Sequence, residues 1–295
     1  SGTYVGQLVP HTPKKKHMNV AVVSTYYNSY IFPPTLRGIE RTLSDAGYAM
    51  WLSFTDNRIE RERIILEDIL RKNNIDGLIV EAAKGALPNP NLCYYKELQK
   101  RNIPIIFFND MYPELNVPCV RLDDYRITYK ATKFLLQAGH KKIAAIFKLD
   151  DGQGRRRYSG YIAALREAEI RLNSRTTIWI DTDSELNLEE MEEHLFRRIE
   201  GCTGVVCYND EVAVEVIDLA LKRNIQIPQD LSIVSIDDSE LAEMNKVPFT
   251  SYPHPKDILG QKTAQNLLKM IENPAFDGNY LFEPKAVVRD SIRQI

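Results

Sequence analysis

The stretch TGVVCYNDEVAVEVIDLALKR, residues 203–223, changes period in its middle. Residues 203–208 form a short, mainly apolar run of the kind that suits a strand buried on both faces. After them, apolar side chains recur at the 3.6-residue spacing of a helix. Between the two stand Asn209 and Asp210. Asn and Asp are favoured helix N-caps, and an acid in the first turn suits the helix dipole. The same polar pair, at the end of a buried strand, is also placed to hold a ligand. On local grounds both readings stay open.

The same change of period recurs along the chain. Apolar runs at 19–24, 49–54, 76–80 and 103–109 read as strands, and they alternate with helical stripes at 35–48, 59–74 and 91–102. The rhythm then restarts. Helices are expected at 125–140, 155–170, 188–201 and after Asp210, with strands at 142–147, 176–180, 203–208 and 231–238. Strands alternating with helices argue for βαβ units and parallel sheets covered on both faces. The fold class expected is α/β, with two doubly wound parallel-sheet lobes and a cleft between them.

Composition sets outer bounds. A length of 295 residues suits two similar units, each with its own core. A net charge of −2 speaks against a dedicated polyanion binder. Cys93, Cys119, Cys202 and Cys207 show no metal-ligand spacing and read as plain thiols in a reducing compartment. The opening residues, SGTYVGQLVPHTPKKKHM, carry lysines after the apolar residues, unlike a secretion signal, and no window is apolar enough to span a membrane. A cytoplasmic protein is expected, and the missing initiator Met points to a fragment.

In doubly wound sheets, ligands bind at the carboxyl ends of the strands. In the first half those ends carry Tyr26, Tyr27, Tyr30 and Phe32, then Glu81 with Lys84, then Asn109 with Asp110. In the second half they lead to Arg155, Arg156 and Arg157, to Trp179 and Asp181, to Asn209 and Asp210, and to Asp237 and Asp238; His254 follows between two prolines. Carboxylates, amides and a guanidinium fork suit vicinal hydroxyls, and aromatic faces suit the C–H side of a sugar ring. Catalytic patterns are absent: there is no nucleophile elbow, no phosphate loop, no third glycine after DDGQG, and no histidine pair at metal spacing. No enzyme, metal or cofactor is expected.

Several motifs, in this order, resemble the effector-binding domain of LacI/GalR-type repressors. They are AGHKKIAAIF, RRRYSGYIAAL, CYNDEVAVEVIDLALKRNIQIPQDLSIVSIDDSELAEM, VPFTSYPHPKDILGQKTAQNLL and EPKAVVRDSI. TLRGIERTLSDAGY and NNIDGLIV fit the first lobe, so the resemblance runs from about residue 18 to the end. It implies a periplasmic-binding-protein-like type I fold with crossover strands. Residues 18–138 with 255–283 would form the first lobe, and 139–254 with 284–295 the second. SGTYV at residues 1–5 is similar to the last strand of a GntR-type winged helix, which makes 1–17 the end of a DNA-binding head and its linker.

The combination implies a homodimeric repressor that binds operator DNA through that head and a monosaccharide effector, L-arabinose, between its lobes. Soluble sugar-binding or purine-responsive modules of the same fold are the alternative. By position, Arg157, Asn209 and Asp237 match the family's hydroxyl-gripping residues, and Tyr30 its aromatic wall. His254 stands where the family often has glutamine. Glu81, Lys84 and Asp110 complete the expected ligand set from their places at strand ends.

Overall fold

The computed structural model describes residues 16–28, 31–183 and 185–295. The first sheet is built from β1 (Asn19–Ser24), β2 (Ala49–Phe54), β3 (Gly77–Val80), β4 (Ile105–Phe108) and β5 (Cys119–Leu122), with α1 (Phe32–Asp45), α2 (Ile59–Lys72) and α3 (Leu92–Lys100) between strands. Its order is β2-β1-β3-β4-β5, all parallel, with Val22 facing Leu52 on one side and Ile79 on the other. Strands β3 and β4 are buried at every position, as continuous apolar runs covered on both faces must be. Helix α1 starts at Phe32 rather than at 35, because Pro33 and Pro34 fit a first turn whose amides need no partner. Gly47 ends its connection at φ +79°.

The second sheet repeats the plan. Helix α4 (Asp124–Gln137) leads to β6 (Ile143–Lys148), α5 (Gly152–Glu167), β7 (Thr177–Ile180), α6 (Glu192–Ile199), β8 (Gly204–Val206), α7 (Asp210–Lys222), β9 (Ser232–Asp237), α8 (Glu240–Met244) and β10 (Thr250–Pro253). Its order, β7-β6-β8-β9-β10, is the first sheet's order again. In each sheet the order reverses beside the first strand, which opens a crevice there at the carboxyl edge. Helix α5 begins at Gly152, three residues before the expected start. Gly154 permits this, since a Cβ there would strike the backbone of Lys148.

The chain passes between the sheets after β5, after β10 and after β11 (Tyr280–Phe282), which pairs with β5. Helix α9 (Lys256–Glu272) returns to the first sheet and packs on β3, β4 and β5. Helix α4 packs on α5, β8 and β9, and its Ile127, Ala131 and Leu135 join the core of Ile143 and Phe147. The chain therefore leaves the first sheet at β5, ahead of the division expected at residue 138. Val287 forms an antiparallel bridge with Ser251 of β10 and so ties the C-terminal segment to the second sheet. Of the expected head remnant and linker, residues 1–15 lie outside the described residues.

Each sheet has one face where two helices touch backbone to backbone through glycine. A Cβ on Gly260 of α9 would fall on the Thr35 carbonyl of α1, and one on Gly160 of α5 would fall on the Tyr125 carbonyl of α4. Neither helix can retreat without losing its packing on the sheet. Gly260→Ala is expected to lower unfolding stability by about 1–3 kcal/mol, the usual cost of overpacking. Urea titration at neutral pH measures this, and an unchanged midpoint would rule out the close approach.

Candidate functional site

The carboxyl edges of the two sheets face each other across a cavity. From the first sheet come Thr25 and Tyr26 after β1, Phe32, Asn57, Glu81 and Ala82 after β3, and Asp110 after β4. From the second come Lys148, Asp151, Gln153 and Arg157, then Tyr208, Asn209 and Glu211, then Asp237. Sequence reasoning named Glu81, Asp110, Arg157, Asn209 and Asp237, and the structure brings these five together on one cavity. Tyr30 lies outside the described residues. Lys84 and His254 do not line the cavity.

Asn209 is the N-cap of α7, its Oδ1 accepting the Val212 amide hydrogen at 2.9 Å. The same residue lines the cavity. Asp210 is fully buried and accepts from the Ser239 amide, the Ser239 hydroxyl and the Ser251 hydroxyl at 2.7–2.9 Å. It ties α7 to β9 and β10 and is scaffold. Asp237 ends β9 at φ 115°, with its carbonyl held by Lys256 Nζ at 2.9 Å.

Arg157 is almost wholly buried. Its Nε donates to Asp124 Oδ1 at 2.9 Å, its Nη1 to the Tyr208 carbonyl, and its guanidinium lies 4.7 Å from the Tyr208 ring centre. The neighbouring Arg156 shares Asp124, through Oδ2 at 3.2 Å. Tyr208 donates its hydroxyl to Asp151 Oδ2 at 3.1 Å, and Lys148 pairs with the same oxygen at 3.1 Å. Lys148, Asp151 and Tyr208 were not anticipated, although each stands beside a strand end that was read. Asn57 follows β2 in a left-handed conformation (φ 53°), which the Asp-Asn pair after that strand favours, and it was not anticipated as a lining residue.

Lys84 sits on the seam between the sheets. Its amide donates to Asn57 Oδ1 at 2.6 Å, and its Nζ lies 3.6 Å from Asp150. His254 is buried behind the cavity. Its Nδ1 accepts the Lys256 amide hydrogen at 3.0 Å, so Nε2 carries the proton and donates to Asn109 Oδ1 at 3.0 Å. Asn109 in turn donates to Glu81 Oε1 at 2.8 Å, while Thr25 donates its amide and hydroxyl to Oε2. Trp179 packs on Phe147 and Tyr158, away from the cavity.

The cavity lining holds five carboxylates, Glu81, Asp110, Asp151, Glu211 and Asp237, against the cations Lys148 and Arg157. Burial pushes the Glu81 carboxyl up to about 7, despite the hydrogen bonds from Thr25 and Asn109 that oppose the shift. Near neutral pH that carboxyl can therefore either donate or accept. The arrangement can grip hydroxyls from several sides. No helix among the described residues is long and apolar enough to cross a membrane.

A family profile for a periplasmic binding protein-like domain matches residues 132–292. The arabinose metabolism transcriptional repressor of Halalkalibacterium halodurans is 38% identical over 286 residues, which span 94% of this chain and 76% of that protein. The protein of the same name from Geobacillus stearothermophilus is 36% identical over 304 residues, spanning 100% of this chain and 82% of that one. Among solved structures, the transcription regulator CcpA of Lactococcus lactis superposes with a TM-score of 0.82 at 25% identity, over 93% of this chain and 99% of that chain.

Glu81 and His254 carry opposite pH signatures. Between pH 4.5 and about 7 the folded chain keeps a proton on Glu81 that the unfolded chain has released, so this contribution to stability falls as pH rises through the window. Burial lowers His254 to about 3 from 6.5, so its contribution falls as pH drops below 6.5. The two partly cancel around pH 5. Glu81→Gln removes the first and leaves the second. The stability gained between pH 5 and pH 8, read by denaturant titration, is expected to be larger in the Gln variant than in the parent. An equal gain in both would show that Glu81 titrates as an ordinary carboxyl.

Proposed function

This chain belongs to the periplasmic-binding-protein-like family of LacI-type transcriptional repressors, and from that premise we propose that its cleft binds L-arabinose as the effector that releases operator DNA. The observation that carries the sugar reading is the meeting of strand-end amides, carboxylates and Arg157 from both sheets on one cavity with the rings of Phe32 and Tyr208. Such a set can donate to and accept from every hydroxyl of a small polyol while a ring covers its C–H face. The excess of carboxylates favours a neutral sugar over a phosphorylated one. L-Arabinose in particular is supported by the names of the two relatives at 38% and 36% identity.

The mechanism follows from contacts on both sides of the cleft. A ligand touching both sheets binds the closed arrangement better than the open one and shifts the population by that difference. In a homodimer, closure changes the separation of the two DNA-binding heads, which must match the operator half-sites. The head is a winged helix preceding this domain, whose last strand residues 1–5 resemble, and the protein works in the cytoplasm with its DNA.

Titration calorimetry tests the effector. Heat is expected with L-arabinose, and none with a 5-phosphorylated pentose. No heat with any pentose would sink the sugar reading. Asn209→Asp separates the two duties of that residue: aspartate caps a helix as well as asparagine does, but cannot donate to a sugar hydroxyl. Unchanged melting with affinity weakened at least about tenfold is expected, the scale of losing one buried hydrogen bond. Unchanged affinity would remove Asn209 from the ligand contacts.

A further inference from the structure

Helix α5 lacks a cap from its own side of the cleft. Asp151, at its N-cap position, makes no capping hydrogen bond; its carboxylate is turned to Lys148, Tyr208 and Asn57 instead. The Gly152 amide is nevertheless satisfied. It donates to Asp110 Oδ2 at 2.8 Å, and Asp110 belongs to the loop after β4, on the opposite sheet. The second oxygen of Asp110 accepts from Arg156 Nη2 at 2.9 Å. Arg156 is itself anchored by Asp124, the buried acid in the first turn of α4.

The carboxylate is also shaped into place. Asp110 is buried, and glycines flank it from both sides of the cleft. A Cβ on Gly152 would lie 2.5 Å from Oδ1, and a Cβ on Gly85 would collide with Oδ2. Neither glycine adopts a left-handed backbone, so their lack of side chain serves the close approach and not a turn. We propose that Asp110, Gly152 and Arg156 form a latch that closes the cleft with protein atoms alone, and that Arg156 is a positioning residue for effector binding. Arg156 does not line the cavity. It acts by raising the fraction of molecules already closed, and apparent affinity scales with that fraction. Asp110 then serves the effector through closure, with both oxygens committed to the far side of the cleft.

The affinity arm of the test rests on the sugar reading above; the shape arm does not. Small-angle scattering of the chain without sugar is the first measurement. Arg156→Ala and Gly152→Ala are both expected to increase the radius of gyration. Calorimetry with L-arabinose is the second, and an affinity loss of about tenfold is expected in each variant, the result of dropping the closed fraction of the sugar-free chain about tenfold from an intermediate value, for instance from about a half to about a twentieth. Gly152→Ala guards against simple unfolding, because alanine is the better helix former and no polar group is removed. Arg156→Lys should restore part of the affinity, since a cation remains. Unchanged scattering in the Gly152→Ala chain would overturn the latch. Opened variants beside a parent chain that gives no heat with L-arabinose would keep the latch and reject the sugar.

Discussion

One buried carboxylate underlies the whole cleft. Asp124 is inaccessible to water at the start of α4, and a charge in that position must be paired. It is paired twice, with Arg157 on one oxygen and Arg156 on the other. The two arginines are neighbours on α5 and diverge from this anchor. Arg157 is held against Tyr208 at the cavity wall, and Arg156 crosses to Asp110 on the other sheet. The ligand site and the seam between the sheets are therefore built from one fork. Removing one partner of a buried pair of this kind costs roughly 3–5 kcal/mol. A change at Asp124 would disturb both arms at once, although Asp124 does not line the cavity.

The seam around that fork is polar. Asn57 reaches Thr182 at 2.7 Å and Asp151 at 3.3 Å, Lys84 pairs with Asp150, and Arg155 donates to the Ala86 carbonyl at 2.8 Å. Four apolar cores pack against the faces of the two sheets. Polar groups lose little when the seam parts, because water replaces each partner. An apolar seam would resist opening in proportion to its area. The distribution suits a device that must open and close while each half stays folded, and the chain crosses between the halves at 122–124, 253–256 and 282–287.

Most of the fold was legible because the parallel sheets leave a plain trace. Strands buried on both faces read as unbroken apolar runs, and the helices between them keep a 3.6-residue stripe. The strand-end rule then found seven of the lining residues, Tyr26, Phe32, Glu81, Asp110, Arg157, Asn209 and Asp237. It missed where side chains turn after they leave the strand. His254 was read as facing the ligand, yet its ring nitrogens are taken by Lys256 and Asn109, and it reaches the cavity only through Glu81. Asp124 was not singled out, since nothing local reveals a partner 33 residues away. Asn57 was invisible for the same reason: its role depends on Thr182, 125 residues on.

Closure strength in such a molecule is bounded on both sides. An effector can shift a two-state balance only by the difference between its affinities for the two states; moving it from 1:99 to 99:1 takes a difference of about 10⁴-fold. A latch that closed the cleft completely would leave the effector nothing to change. A cleft with no latch would oblige the sugar to supply all of the closing free energy, at the expense of its affinity. Arg156 sits between these limits. It is partly exposed where its neighbour Arg157 is sealed, with side-chain accessibilities of 24% and 2%. Solvent weakens the pair that crosses the cleft, while the pair that builds the cavity wall is shielded at full strength. The same acid thus holds one arginine permanently and lends the other to a contact that can be broken.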